Sequence, residues 1–276
     1  TITVQDSNYQ SSPSGCDVTS EPLTIDEPEE LIISDLSATE ILCNSDQTSI
    51  ITALISRGTA NYDVDLILGG TVVDELSENT GDISFTGLGA GTYTVQVSDA
   101  NSATGGLGCF VEQTITIDEP DQLIISQNGS EVDVTCFGES TGSFQVSVSG
   151  GTPTYVFAVT NLEGNSIGNP LETSANIFEW SGLAADTYTV TVTDQNDCDA
   201  NQVIEVTIEE PEEITYTIDQ TDLLDCFGDS DGEITIVVSG GTAGYSLSLT
   251  GTSTATSSIS SDGGSHTFAG LTVGTY

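Results

Sequence analysis

The sequence predicts an all-β chain of tandem two-layer sandwich repeats, each about 90 residues long. Three observations predict it: landmarks that recur at that period, short stretches in which apolar and polar residues alternate, and no stretch with the 3.6-residue apolar period of a helix. Cys43, Cys136 and Cys226 lie 93 and 90 residues apart, and Cys16, Cys109 and Cys198 lie 93 and 89 apart.

Each period opens with a Cys on a Gly- and Asp-rich turn, Cys136-Phe137-Gly138-Glu139-Ser140-Thr141-Gly142 in one copy and Cys226-Phe227-Gly228-Asp229-Ser230-Asp231-Gly232 in another. An alternating strand follows, with Phe144, Val146 and Val148 or Ile234, Ile236 and Val238 on one face. A period of two buries one side only. Gly-Gly-Thr-x-x-Tyr comes next and places Tyr62, Tyr155 and Tyr245 each 19 residues after the opening Cys, which implies a shared turn and a shared pocket for the ring. The middle varies in length and in one copy reads as a hairpin, Tyr62 to Leu68, Gly69-Gly70, Thr71 to Leu76.

The closing half repeats an aromatic-x-x-Leu spacing that leads into Thr-Tyr: Phe85, Leu88, Tyr93; Trp180, Leu183, Tyr188; Phe268, Leu271, Tyr276. A Tyr that heads a strand after such a turn resembles the tyrosine corner of immunoglobulin-type sandwiches. An Asp-x-Asn turn, the second Cys and a last strand (Ile115 and Ile117; Ile204, Val206 and Ile208) complete the unit. Acidic Pro junctions separate the units, at Asp26-Glu27-Pro28-Glu29-Glu30, Asp118-Glu119-Pro120-Asp121 and Glu209-Glu210-Pro211-Glu212-Glu213. Pro cannot donate to a ladder and clustered charge resists burial. The expected organisation is the end of one repeat over 1–28, complete repeats over 29–120 and 121–211, and a truncated repeat over 212–276. The fold class is therefore tandem immunoglobulin-like (PKD-like) β-sandwiches, and the 276 residues read as an excerpt of a longer chain.

Charge narrows the partners. Forty-three Asp and Glu stand against Arg57 alone, with no Lys and only His266, for a net charge of -42. Nucleic acid and anionic membrane surfaces both require clustered cations, so neither is expected as a partner. Hydrophobic residues make up 36% of the chain, enough for a core in each repeat. Six Cys with no C-x-x-C and a single His point to disulfides and an oxidising compartment rather than zinc. No apolar run approaches the roughly 18 residues of a membrane span.

The ordered set Cys-x-Gly-x-x-x-Gly, Ser-Gly-Gly-Thr-x-x-Tyr, Leu-x-x-Gly-Thr-Tyr-x-Val-x-Val-x-Asp, a terminal Cys and Ile-x-(Asp/Glu)-Glu-Pro resembles the SprB-type repeat of Bacteroidota gliding-motility adhesins. Two departures fall in the first complete repeat: Cys43-Asn44-Ser45, where Gly is expected third, and Arg57-Gly58-Thr59 in place of Gly-Gly-Thr. The resemblance implies a giant cell-surface protein exported by the type IX system that contacts surfaces or polysaccharide.

Catalysis is not expected, because a Ser-His-Asp or Cys-His arrangement would have to use His266, which stands where the sister repeats have Ile83 and Phe178. Calcium is the cofactor to consider, since Asp and Asn turns offer hard oxygen ligands. Candidates are Asp6, Asn8, Asp99, Asn101, Asp194, Asn196 and Asp197 in the turn before the last strand, with Asp26, Glu27, Asp118 and Glu119 at the junctions. Asp99 and Asn101 are expected to face Asp26, Glu27, Glu29 or Glu30. The alternative is ordinary hairpin chemistry on a solvated acidic surface. Two disulfide schemes remain open: Cys43–Cys109 with Cys136–Cys198 inside the repeats, which is favoured, or Cys16–Cys43, Cys109–Cys136 and Cys198–Cys226 across the junctions. Trp180, Phe85 and Phe268 read as core rather than as a sugar-stacking platform, and Asn128-Gly129-Ser130 reads as a type I′ turn.

The expected role is a non-catalytic, secreted adhesive stalk whose partners are its neighbouring repeats and an extracellular surface or polysaccharide. Two alternatives stand beside it: glycan binding through the variable stretches 69–82, 161–176 and 250–265, and self-association into a filament or surface layer through open sheet edges.

Overall fold

Alternating apolar residues become strands throughout. The computed structural model describes residues 1–7, 17–101, 109–222, 224 and 226–276, and these hold 21 strands and no helix. None of them therefore forms a helix long and apolar enough to cross a membrane. The chain forms two compact units, Thr1–Ile41 with Ser45–Glu119, and Leu42–Asn44 with Pro120–Tyr276.

The first unit begins with a hairpin of β1 (Thr3–Gln5) and β2 (Asp17–Thr19), in which Thr3 faces Thr19. Its sandwich follows as β3 (Ile32–Ala38), β4 (Ser49–Ser56), β5 (Tyr62–Leu68), β6 (Thr71–Asn79), β7 (Asp82–Leu88), β8 (Gly91–Ser98) and β9 (Phe110–Ile117). One sheet has the order β3-β4-β7 and the other β6-β5-β8-β9, all antiparallel. Ile51, Ala53 and Ile55 from the first sheet meet Val64, Leu66, Val95 and Val97 from the second. Each fully buried aliphatic side chain here contributes about 1.5 to 3 kcal/mol.

The second unit repeats the plan with β10 (Ile124–Gln127), β11 (Gly142–Ser149), β12 (Tyr155–Thr160), β13 (Leu171–Thr173), β14 (Ile177–Leu183), β15 (Asp186–Thr193) and β16 (Ile204–Ile208). The sheets are β10-β11-β14 and β13-β12-β15-β16, the same order as before. Phe144, Val146, Phe157, Val190 and Ile208 form the centre of its core. The same unit continues with β17 (Thr215–Asp222), β18 (Gly232–Ser239), β19 (Tyr245–Leu249), β20 (Ala255–Ile259) and β21 (Ser265–Leu271), as sheets β17-β18-β21 and β19-β20 around Val238, Tyr245 and Ile259.

The tyrosine corner is present three times. Tyr93, Tyr188 and Tyr276 donate their hydroxyls to the carbonyls of Gly89, Ala184 and Thr272, each four residues back. The two departures of the first repeat keep the backbone of their sisters: Arg57 has φ 68° where Gly150 has 73°, and Ser45 has φ 65° where Gly138 has 74°. Side chains are thus held in the left-handed region, at a cost of roughly 1 to 2 kcal/mol each. At Gly150 the glycine is required, because a Cβ would run into the carbonyl of Gln122.

Of the variable stretches, 69–82 is mostly the hairpin strand β6, whereas β13 and β20 pair only short parts of 161–176 and 250–265. Edge strands carry length variation without disturbing the core. Two readings are corrected. The Asn128-Gly129 turn is not type I′, because only Gly129 has positive φ. The disulfide pairing also differs, for reasons that lie in the turns.

Candidate functional site

Turns near the acidic junctions carry several of the elements that the sequence singled out: the Gly-Thr turn, the Asp-x-Asn turn, a junction glutamate and two of the cysteines. The residue after each junction Pro supplies a carbonyl to the Gly-Thr turn. Gly58 donates its N–H to Glu29, Gly151 to Asp121 and Gly241 to Glu212, at 3.0, 2.8 and 2.7 Å. The following Thr59 and Thr152 donate their N–H groups to Oδ2 of Asp99 and Asp194, at 3.0 and 2.7 Å.

The second carboxylate oxygen closes its own turn. Oδ1 of Asp99 accepts from the N–H of Asn101; Oδ1 of Asp194 accepts from the N–H groups of Asn196 and Cys198, at 2.9 and 3.0 Å. Asp99 is 4% exposed and Asp194 1%. A carboxylate this deep is tolerated when N–H groups replace its water. Each Asp therefore ties two turns some forty residues apart. The tyrosine pocket lies beside this lock: Tyr62, Tyr155 and Tyr245 donate their hydroxyls to the carbonyls of Arg57, Gly150 and Gly240, each five residues back. Burial first, and then the negative charge of Asp194, push the Tyr155 hydroxyl above the ordinary tyrosine pKa.

The junction glutamates serve the opening turns. Glu119 accepts the N–H of Ser45, and Glu210 accepts the N–H of Gly138, so the same contact recurs two residues after Cys43 and Cys136. Leu42–Asn44 belongs to the second unit, where Asn44 donates its side-chain N–H to the Pro120 carbonyl at 3.0 Å. There Cys43 is disulfide-bonded to Cys198, 155 residues away in sequence.

This bond replaces both expected schemes. Cys43–Cys109 and Cys136–Cys198 are not formed, nor are Cys16–Cys43 and Cys198–Cys226, because Cys43 and Cys198 are bonded to each other. Cys109–Cys136 is not formed either, since both residues, like Cys226, carry free exposed thiols. Cys16 lies outside the described residues. The physical reason is the position of Leu42–Asn44, which places an opening turn against a closing turn one full period later.

The calcium candidates fall into two groups. Asp99, Asn101, Asp194 and Asn196 are engaged in the lock, and Cys198 follows Asp197, whose backbone has φ 62° and whose N–H donates to Asp194. Asp6, Asp26, Glu27, Asp118 and Glu119 are exposed, and Asn8 is not among the described residues. The expected meeting of Asp99 with the junction acids takes another form, because it is the Glu29 carbonyl that reaches this turn. Among the described residues, no three His, Cys, Asp or Glu side chains gather into one cluster. Melting with calcium against magnesium at matched ionic strength tests the calcium expectation: equal rises would reflect screening of a charge of -42, and a calcium-specific rise above about 5 °C would assign the ion a site.

His266 sits half-buried on β21 opposite Ile236, matching Ile83 opposite Ala53 and Phe178 opposite Val146. Its ring meets the Phe268 ring edge-on at 4.7 Å, and its Nδ1 lies 3.1 Å from the Ser257 hydroxyl. Phe85 is buried, and Trp180 stacks on Phe144 at 5.3 Å with Phe178 and Phe157 at its edges. These rings pack core.

Two three-plus-four-stranded sandwiches joined by acidic junctions define a tandem immunoglobulin-like repeat protein. Residues 128–164 and 217–254 match the SprB repeat. Among solved structures, the chain is similar to fibronectin(III)-like modules of Clostridium thermocellum CbhA, at 13% identity over 65% of this chain and 94% of that one, TM-score 0.28. It is also similar to Sidekick-1 immunoglobulin domains 1–5, at 11% identity over 89% and 54%, TM-score 0.38. A third is the BSP domain of a biofilm-associated protein, at 17% identity over 64% and 30%, TM-score 0.24. No curated protein matches the sequence.

Proposed function

We propose that this chain is part of the stalk of a large secreted cell-surface adhesin of the gliding-motility type, with no catalytic role. The observation that carries the reading is the recurrence of one turn lock, Gly-Thr to buried Asp, in successive repeats, in segments of a chain that matches the SprB repeat twice. Such a lock fixes the ends of each sandwich, where an array transmits load. The acidic surface keeps the chain soluble and repels its neighbours, and the disulfide fits an oxidising, extracellular setting.

A stalk bears binding sites elsewhere, so the purified chain is expected to be silent on a glycan array and to show single threads by electron microscopy. Specific glycan binding would move the function to the edge-strand stretches, and multi-chain fibres would favour a filament or surface layer. Either result overturns the stalk.

A further inference from the structure

We propose that the Cys43–Cys198 disulfide is the path by which tension passes along this chain, so that the segment it bridges, a sequence separation of 155 residues, is sheltered from stretching. The chain then lengthens only by what lies outside that segment. The proposal rests on the stalk reading for the source of the tension and on connectivity alone for its path.

A pull along the chain reaches Cys43 through β1 to β3 and reaches Cys198 through β16 to β21. The S–S bond joins those two residues with their Cα atoms 5.6 Å apart. The main chain between them runs through Ser45–Glu119 of the first unit and returns at Pro120. Tension follows the shorter covalent route, and the longer one stays slack.

The bridged segment holds β4 to β15. The ladders β4–β7, β5–β6, β5–β8 and β8–β9 of the first unit have both strands inside it. So do β10–β11, β11–β14, β12–β13 and β12–β15 of the second. Among the described ladders, only β3 with β4 and β15 with β16 pair across its boundary, and β3 and β16 are edge strands of their sheets. Peeling these two edges is therefore the most that tension does directly to the two sandwiches. Both carboxylate locks, Thr59 to Asp99 and Thr152 to Asp194, lie within the sheltered segment.

The bond sits in a built setting. Cys198 donates its N–H to Oδ1 of Asp194 at 3.0 Å, and the Asn196 side chain donates to the Leu42 carbonyl at 3.4 Å. The Asn44 side chain donates to the Pro120 carbonyl at 3.0 Å on the other side of Cys43. Cys198 is buried, which limits access of thiols that would exchange with the bond.

The test stretches the whole chain between peptide tags at its two ends, one molecule at a time and with free thiols alkylated, and reads the contour length at full extension. At about 3.5 Å per extended residue, the bonded chain is expected to reach about 40 nm and the Cys43→Ser, Cys198→Ser double variant about 95 nm. This length counts chain and not fold, so it is read equally well if the double variant is unfolded before the pull. A bonded chain that extends as far as the double variant would overturn the path, and so would a double variant held to the shorter length, which places the restraint elsewhere. A chain that reaches the longer length, yet is silent on the glycan array and threads singly in micrographs, loses the path and keeps the stalk. A shorter length in a chain that binds glycans or forms fibres keeps the path and loses the stalk.

Discussion

Removing the Cys43–Cys198 bond is expected to lower the stability of the second unit by about 4 to 5 kcal/mol. The loop it closes holds 155 residues by sequence separation, and it shortens to the remainder after Pro120 if the first unit stays folded. The logarithmic dependence on loop length makes the two cases differ by less than about 1 kcal/mol. Trp180 is the chain's one Trp and packs against the core of that unit, so its fluorescence reports this unfolding alone. Cys43→Ser and Cys198→Ser are each expected to move the Trp180 urea midpoint down by about 2 M or more, to the value that reductant gives the wild type. An unchanged midpoint in the serine variants would show that the bond does not constrain the unit.

Much of this architecture could be read from residue order. The period of the cysteines, the alternation in Phe144-Val146-Val148 and the Tyr at the head of β8, β15 and the Tyr276 turn all follow from local chemistry, and the strands and corners lie where that chemistry puts them. The site was legible only in part. Asp99 and Asp194 stood out as paired with Asn in a turn, but an oxygen ligand for calcium and an acceptor for buried N–H groups look the same in sequence. What the residue order does not show is the partner some forty residues away, the N–H of Thr59 or Thr152. The one signal available was that Gly-Thr and Asp-x-Asn recur together in the same repeats. The disulfide was illegible for a different reason. In a periodic chain, a pairing within a repeat and one shifted by a full period have the same spacings modulo the period, so spacing alone cannot choose between Cys109 and Cys198 as the partner of Cys43. The choice is made by where Leu42–Asn44 packs.

The carboxylate lock gives the other large effect. Asp194→Ala is expected to destabilise the second unit by about 3 to 5 kcal/mol, because it leaves the half-buried N–H groups of Thr152 and Asn196 and the buried one of Cys198 without an acceptor. Asp194→Asn keeps one acceptor oxygen and is expected to lose roughly half as much. Asp99→Ala removes the acceptor of the Thr59 and Asn101 N–H groups among the described residues, so the first unit is expected to lose stability in the same direction. Electrostatics makes the sign informative. In a chain with a net charge of -42, deleting an acid relieves repulsion, and an exposed example such as Glu205→Gln on β16 is expected to change stability by no more than about 0.5 kcal/mol, if anything upward. A loss of several kcal/mol at Asp194 would therefore run against the global charge and could come only from the local hydrogen bonds. If Asp194→Ala melts, by Trp180 fluorescence, at or above the wild-type temperature, then Asp194 is one more solvated acid and the turn lock has no energetic content.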